Sequence, residues 1–300
     1  MKQQTLSRAY NFWGKGLHTG CYSHMRVKPA PVNTGIVFIR TDLGVTIRAV
    51  AENVSSTARS TTLTYGKASV RTVEHVLSAL TGLGVDNAII EIDNKEVPIL
   101  DGSARIYIEN MGGDPLVEQE KDRKYLEIDH EILIENKKTG SWIKVTPADS
   151  PSVEVTIDFN SHVLGIQKAR WTPDTDYKTQ ISPCRTFCFL HEIQHLAALG
   201  LVKGGDVENA IVIVEKPVCE RKLTRLARTF GQPQLGVTPD GYLTNLELRF
   251  PDECGRHKLL DIMGDLRLVG GYLNARVEAF KPGHSINTQA AAEIRKQRKQ

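Results

Sequence analysis

The chain has 300 residues, 40% hydrophobic and 24% charged, the composition of a globular protein with room for two ordinary domains or one large one. A formal net charge of only +3 argues against a dedicated nucleic-acid binder, although a local basic patch would still hold an anion. No run reaches the roughly 20 apolar residues that cross a bilayer, and MKQQTLSRAYNFWGKGLHTG lacks the apolar core and cleavage site of a signal peptide, so the five scattered cysteines read as reduced thiols of a cytoplasmic protein.

Residues 1–113 read as short strands and turns around one clear helix. STTLTYGKASVRTVEH predicts a strand, a tight turn at Gly66 and a second strand running to a helix start. In RTVEHVLSALTGLG, Val73, Val76, Leu77, Leu80 and Leu83 recur at helical spacing, and Gly82 and Gly84 end the helix. NAIIEIDNKEVPILDGSA predicts a strand, a turn and a further strand segment. DPLVEQEKDRK (114–124), nearly free of apolar side chains, is the expected linker between a domain over 1–118 and another over 125–300. Beyond it, KYLEIDHEILIEN and GSWIKVTPA read as a hairpin, SVEVTIDFN as a strand, FLHEIQHLAALGL as a helix and NAIVIVEKPV as a buried strand. KLTRLARTFG reads as an amphipathic helix, GRHKLLDIMGDLRLVG as an apolar helix, YLNARVEAFKPGHSIN as a strand entering a loop, and AAEIRKQRKQ as a solvated basic helix end. In both halves strands lead to a histidine-bearing helix and then to another strand, which predicts two related α+β domains facing each other.

Two stretches carry metal-type chemistry. His191-Glu192-x-x-His195 is the zinc-protease signature H-E-x-x-H. In RHKLLDIMGDLRLVG, His257, Asp261 and Asp265 form one stripe at helical spacing on an otherwise apolar helix. Burying two carboxylates is costly, so a cation should face that stripe. The stripe alone fits either a metal ion held by His257 and Asp261 or a structural His–Asp pair capped by lysines. On the earlier helix, Ser78, Ala79 and Gly82 make the His75 side small, so a second helix can approach closely. His75 would supply a third ligand, and Glu74, about 100° round the helix, stands where a general base would; taken alone, the segment reads more readily as a core histidine beside a partly exposed glutamate. His284 follows Pro282-Gly283 in a predicted loop, where Asp265 could charge it, or it is a surface histidine. Thr186, in CRTFCF, is either an oxyanion donor or an ordinary strand threonine.

Together the segments resemble the UDP-3-O-acyl-N-acetylglucosamine deacetylases, zinc amidohydrolases of the lipid A pathway. GKGLHTG (14–20), TVEHVLSALTGLGVDN (72–87), PILDGSA (98–104), CRTFCF (184–189), GLVKGGDVENAIV (200–212), RHKLLDIMGDL (256–266) and GHSIN (283–287) run in family order over nearly the whole chain. The resemblance implies a β-α-α-β sandwich of two related α+β domains with small inserts at about 40–70 and 189–218. It implies zinc on His75, His257 and Asp261, Glu74 as general base, and His284 as acid or electrophile partnered by Asp265. It makes Thr186 the group that polarises the substrate carbonyl. Phe187 and Lys258 fall where the family contacts the sugar nucleotide, and Ile193 and Gly205 lie in the insert that lines the acyl passage. Two histidines and one carboxylate suit iron(II) as well as zinc. The implied reaction releases acetate from a UDP-linked 3-O-acyl-N-acetylglucosamine, a small-molecule lipid substrate. Competing readings are an H-E-x-x-H metalloprotease and a non-catalytic sugar-nucleotide binder. Against the protease, the acid that should follow, Glu215, sits on a strand run closed by Pro217 rather than on a helix. The chain is similar to the Bacteroidetes branch, some members of which continue into a dehydratase-type enzyme; such a partner would lie beyond Gln300.

Overall fold

Buried and exposed side chains alternate along Tyr22–Pro29, Ser141–Pro147 and Ser152–Asp158, as in strands with one face against a core. The computed structural model describes residues 1–123, 125–193, 204, 209–229 and 231–297. The first half contains β1 (Lys2–Thr5), β2 (Tyr10–Lys15), β3 (Tyr22–Pro29), β4 (Ile36–Arg40) and β5 (Val45–Arg48). A small antiparallel sheet follows, β6 (Val54–Ser56), β7 (Thr62–Tyr65) and β8 (Ala68–Arg71), with Gly66 at φ 56° in its turn. Then come helix α1 (Glu74–Leu83), β9 (Ala88–Ile92), α2 (Arg105–Met111) and β10 (Val117–Asp122). The second half runs β11 (Tyr125–Glu127), β12 (Ile132–Asn136), β13 (Ser141–Pro147), β14 (Ser152–Asp158) and β15 (Ile166–Trp171). It continues with α3 (Tyr177–Gln180), β16 (Phe187–Phe189), β17 (Ile211–Ile213), α4 (Glu220–Thr229), α5 (Glu253–Leu266), β18 (Tyr272–Phe280) and α6 (His284–Gln297).

The two main sheets share one topology. The first has the order β2-β3-β9-β4-β5 and the second β12-β13-β18-β14-β15, with β11 added beside β18. In each, the central strand (β9 or β18) is antiparallel to one neighbour and parallel to the other. That central strand directly follows a helix, α1 or α5, so the two helices occupy equivalent places in an α+β fold. One continuous apolar core joins both sheets and both helices, and a smaller cluster around Leu190, Val212, Val214 and Leu226 lies beneath the second insert.

The small face expected on α1 receives α5. A Cβ on Gly264 of α5 would collide with the Glu74 carbonyl oxygen, so only glycine permits this crossing. Ser78 meets the Tyr177 hydroxyl at 2.7 Å, and a Cβ on Gly82 would strike the Tyr177 ring. In α5 only Arg256 and Lys258 escape full burial, and Gly84 closes α1 in the left-handed region at φ 86°.

Four sequence expectations change. The polar stretch taken as a linker is largely a strand: β10 pairs antiparallel with β1, held by backbone bonds that need no apolar pattern. The further strand segment in NKEVPILDGSA is absent. Glu96 makes only an isolated bridge with Arg71, and beyond it the Asp101 side chain turns back onto the Ser103 N–H and hydroxyl, which competes with ladder bonds. His284 is the first residue of α6 rather than a loop residue. The basic ending is not solvated throughout, because α6 buries Ile286, Ala290, Ala291 and Ile294 along one face. The predicted helix FLHEIQHLAALGL is helical over 190–193; His195, Leu196, Leu199–Leu201 and Gly205 lie outside the described residues. Among the described residues no helix is long and apolar enough to cross a membrane.

Candidate functional site

The crossing of α1 and α5 brings together three side chains from distant parts of the sequence. One ligand-type atom from each of His75, His257 and Asp261 lies within 4.8 Å of the others, and all three residues are buried. His75 Nε2 stands 3.6 Å and His257 Nε2 3.4 Å from Asp261 Oδ1, and the two imidazoles meet edge to face. The Cys184 carbonyl lies 3.0 Å from His257 Nδ1, which favours the tautomer that donates there and leaves a lone pair on Nε2. That lone pair faces a buried carboxylate oxygen, Asp261 Oδ1, which has no hydrogen-bond partner among the described residues. Two acceptors so placed repel each other unless a cation lies between them. The spacings approach the roughly 3.3–3.5 Å expected between two ligand atoms on a tetrahedral ion bound at about 2.0–2.1 Å. The donor set of two imidazoles and one carboxylate fits a divalent transition metal. Charge states agree. Burial lowers the pKa of His257 to about 4, keeping it a neutral ligand. Burial alone would raise Asp261, but the positive charge beside it, that of Lys258 above all, holds it well below the usual carboxylate range. Lys258 Nζ sits 2.8 Å from Asp261 Oδ2, the lysine cap that the structural alternative foresaw.

A second pair of groups adjoins the triad. Glu74 Oε1 is 3.8 Å from His284 Nε2, whose Nδ1 contacts Asp265 Oδ2 at 2.9 Å. Burial opposes the charged imidazole, yet Asp265 and Glu74 together raise the His284 pKa to about 9. Burial raises the Glu74 pKa, with the two histidines pulling the other way. Thr61 clamps both acids: its N–H donates to Glu74 Oε2 at 3.0 Å and its hydroxyl to Asp265 Oδ1 at 2.6 Å. Asn287 Nδ2 donates to Asp265 Oδ2 at 2.9 Å. Thr61 does not stand out in the sequence, because SSTARSTT has no spacing that distinguishes one hydroxyl from the rest.

His75, His257, Asp261, Glu74 and His284 line a cavity of about 410 Å³ together with Thr186, Phe187 and Lys258. Thr186 is positioned by its backbone: its N–H donates to the Gly102 carbonyl at 2.8 Å, and its carbonyl accepts from Ile211. Gly102 has φ 80°, and a Cβ there would run into the backbone of Asn209. Arg185 and Glu253 form a fully buried ion pair at 2.8 Å that ties this segment to the start of α5. The Phe187 ring faces His257 edge-on, with Lys258 Nζ 5.8 Å from its centre. Toward the second insert the cavity is walled by Phe159, Phe189 and Cys188.

The insert residues divide. Ile193 is half-buried against the small cluster and does not line the cavity. Glu192 does line it, but both its oxygens bind Arg59, at 2.9 and 3.1 Å, joining the two inserts across the mouth. His191 has a side chain 63% exposed and stands 3.8 Å from Glu215. Gly205 and His195 lie outside the described residues. His18, which no spacing in the sequence marks, is buried with neither ring nitrogen hydrogen-bonded among the described residues; burial and Arg71 lower its pKa to about 4. Its loop is anchored by Glu96, which accepts from the His18 and Thr19 N–H groups and the Thr72 hydroxyl.

Comparison with known proteins bears on what such a site does. A sequence model described as LpxC, UDP-3-O-acyl N-acetylglycosamine deacetylase, matches residues 3–231 and 232–296. The chain is 43% identical over 301 residues to the bifunctional enzyme LpxC/FabZ of Porphyromonas gingivalis, covering 100% of this chain and 65% of that protein. It is 39% identical to the bifunctional enzyme of Bacteroides thetaiotaomicron, again over 65% of the relative's length. The chain thus spans about two thirds of these fused relatives. It is 38% identical to the UDP-3-O-acyl-N-acetylglucosamine deacetylase of Nostoc sp., covering 98% of each. With the match running from one sheet through both helices to the other, the chain belongs to the LpxC family.

Proposed function

We propose that the protein hydrolyses the acetamide of a UDP-3-O-(3-hydroxyacyl)-N-acetylglucosamine, releasing acetate in lipid A biosynthesis. The observation that carries this reading is the buried His75–His257–Asp261 triad with Glu74 and His284 side by side above it, in a member of the LpxC family. The metal is read as zinc, with iron(II) the alternative for the same donors. When bound, it would supply Lewis acidity for the amide carbonyl and make water acidic enough to react near neutral pH. Glu74, with Oε2 fixed by Thr61 and Oε1 turned to His284, is the group placed to take the proton from attacking water. His284, held as an imidazolium by Asp265, carries positive charge toward the developing oxyanion, and the Thr186 hydroxyl is the second donor. Lys258 and Phe187 are the sugar-nucleotide contacts. Phe159 and Phe189 give the same cavity an aromatic wall that suits an acyl chain.

Location in the cytoplasm and a dehydratase partner beyond residue 300 belong to the same reading; the fused relatives support the second. The test is acetate release from the UDP-linked substrate by the purified chain, with metal content measured alongside. A metal-loaded chain that binds the substrate and releases no acetate would make it a binding protein instead.

A further inference from the structure

The first insert sends one residue into the crossing of α1 and α5. Thr61 lies just ahead of β7, is fully buried, and is not a wall residue of the catalytic cavity. All three of its polar groups are committed to the crossing. Its carbonyl accepts from the N–H of Val73, the residue ahead of α1, at 3.3 Å. Its N–H donates to Oε2 of Glu74, which opens α1, and its hydroxyl donates to Oδ1 of Asp265, near the end of α5. At 2.6 Å the hydroxyl bond has the short length of a bond to a charged acceptor. Arg71 straps the approach to Thr61, donating to the Ser60 hydroxyl and the Ala58 carbonyl at 3.0 Å each. Each acid is thus held by one oxygen and turns the other toward His284: Glu74 Oε1 to Nε2, and Asp265 Oδ2 to Nδ1.

We propose that the Thr61 hydroxyl is a positioning group: it sets the plane of Asp265, and through it the ring of His284, against a Glu74 carboxylate that the Thr61 N–H holds in the same frame. This inference rests on Glu74 and His284 performing the chemistry proposed above. A carboxylate tied at one oxygen resists turning about its last bond, so Asp265 Oδ2 stays on the imidazole and Glu74 Oε1 stays beside the ring. Asp265 is 0% exposed, so solvent does not replace a lost hydroxyl. Without that bond the carboxylate tilts and the imidazole follows it. A misplacement of about 1 Å at a reacting group costs up to about 10²-fold in rate. Thr61 lies behind the cavity wall, so the loss falls on kcat and not on KM.

Thr61→Val keeps the shape, the N–H and the carbonyl and removes only the hydroxyl, whereas Thr61→Ser keeps the hydroxyl. In the metal-loaded chain Thr61→Val should lower kcat for acetate release by at least about 10-fold, with KM within about 2-fold and metal content at the parent level. Thr61→Ser should return kcat to within about 3-fold of the parent. In an Asp265→Ala background Thr61→Val should cost less than about 3-fold, because the hydroxyl acts through that carboxylate. A second readout needs no turnover. In nitrogen NMR of the metal-free chain, the His284 Nδ1 resonance, assigned by its loss in His284→Ala, should shift in Thr61→Val and return in Thr61→Ser. If Thr61→Val fails to fold, Thr61→Ala removes the same hydroxyl. Retained kcat, an unmoved resonance, or an undiminished cost in the Asp265→Ala background would each overturn the assignment. Glu74→Gln separates the two levels: turnover lost there but kept in Thr61→Val sinks the role of Thr61 alone, whereas turnover kept in a metal-replete Glu74→Gln chain sinks the reading beneath it.

Discussion

The start of the second insert and the crossing of α1 with α5 offer similar residue types in opposite surroundings. His191 projects into solvent, with one carboxylate, Glu215, 3.8 Å away. Glu192 beside it is tied up in an ion pair with Arg59. His75 and His257 are buried, neighbours at a glycine-permitted helix crossing, and share an unpartnered carboxylate oxygen. Burial decides what the shared residue types can do. It keeps His257 neutral and leaves Asp261 Oδ1 without solvent, while at His284 the charges of Asp265 and Glu74 outweigh it. His191 and Glu192, the described part of the motif that reads most loudly, are thus less prepared for a metal than the helix crossing.

The largest expected effect would break this contrast if it failed. His257→Ala or Asp261→Ala removes one of the three proposed ligands and should take tightly bound metal well below one equivalent. Turnover should fall by more than the roughly 10²–10⁴-fold that removing a general base costs. A His191→Ala/His195→Ala double variant should keep its metal and most of its activity. Metal analysis of all three proteins is the check, and loss of metal from the double variant would move the centre to the insert.

Next in size is Glu74→Gln, which preserves shape and the Thr61 contact. It should retain metal and lower kcat by roughly 10²–10⁴-fold. Near-normal turnover in a metal-replete variant would remove Glu74 from the chemistry.

Asp265→Asn tests charge rather than presence. The folded pKa of His284 is raised above its ordinary value of 6.5, to about 9, by the neighbouring carboxylates. Activity that needs the imidazolium is therefore present below that value and lost as pH rises through it. Neutralising Asp265 withdraws a stabilising charge, so the basic limb of kcat/KM should move to lower pH. A limb that stays in place with metal intact would assign it to another group.

Much of this was legible in the sequence, unevenly. The His257–Asp261–Asp265 stripe could be read because helical spacing puts those residues on one face and apolar neighbours force that face inward. The small side of α1 foretold a close helix partner, which Gly264 supplies. What the sequence hid was long-range and polar. Thr61 bonds Asp265 from 204 residues away, and no local period marks it. The strand in 117–122 was missed because its pairing with β1 rests on backbone groups common to every residue. Pro282-Gly283 reads as a breaker and so puts His284 in a loop, although the same pair serves as the entry to α6.

The smallest predicted effect bears most directly on the contrast between the two regions. If H-E-x-x-H were the working motif, Glu192 would be the base, and Glu192→Gln would match Glu74→Gln in severity. In the structure Glu192 instead closes the cavity mouth by its bidentate pair with Arg59, whose side chain is 44% exposed and its own 27%. Partly exposed pairs of this kind contribute about 0–1 kcal/mol and are screened by salt. Glu192→Gln should therefore leave metal content and kcat unchanged and raise KM by no more than about 5-fold, the ratio that 1 kcal/mol allows. Because the lost interaction is ionic, the difference from the parent chain should shrink when KM is measured at high salt. Arg59→Gln should reproduce the change, and the double variant should add little to either, since both remove the same pair. A kcat loss in Glu192→Gln comparable to that of Glu74→Gln, with metal retained in both, would return the chemistry to the insert.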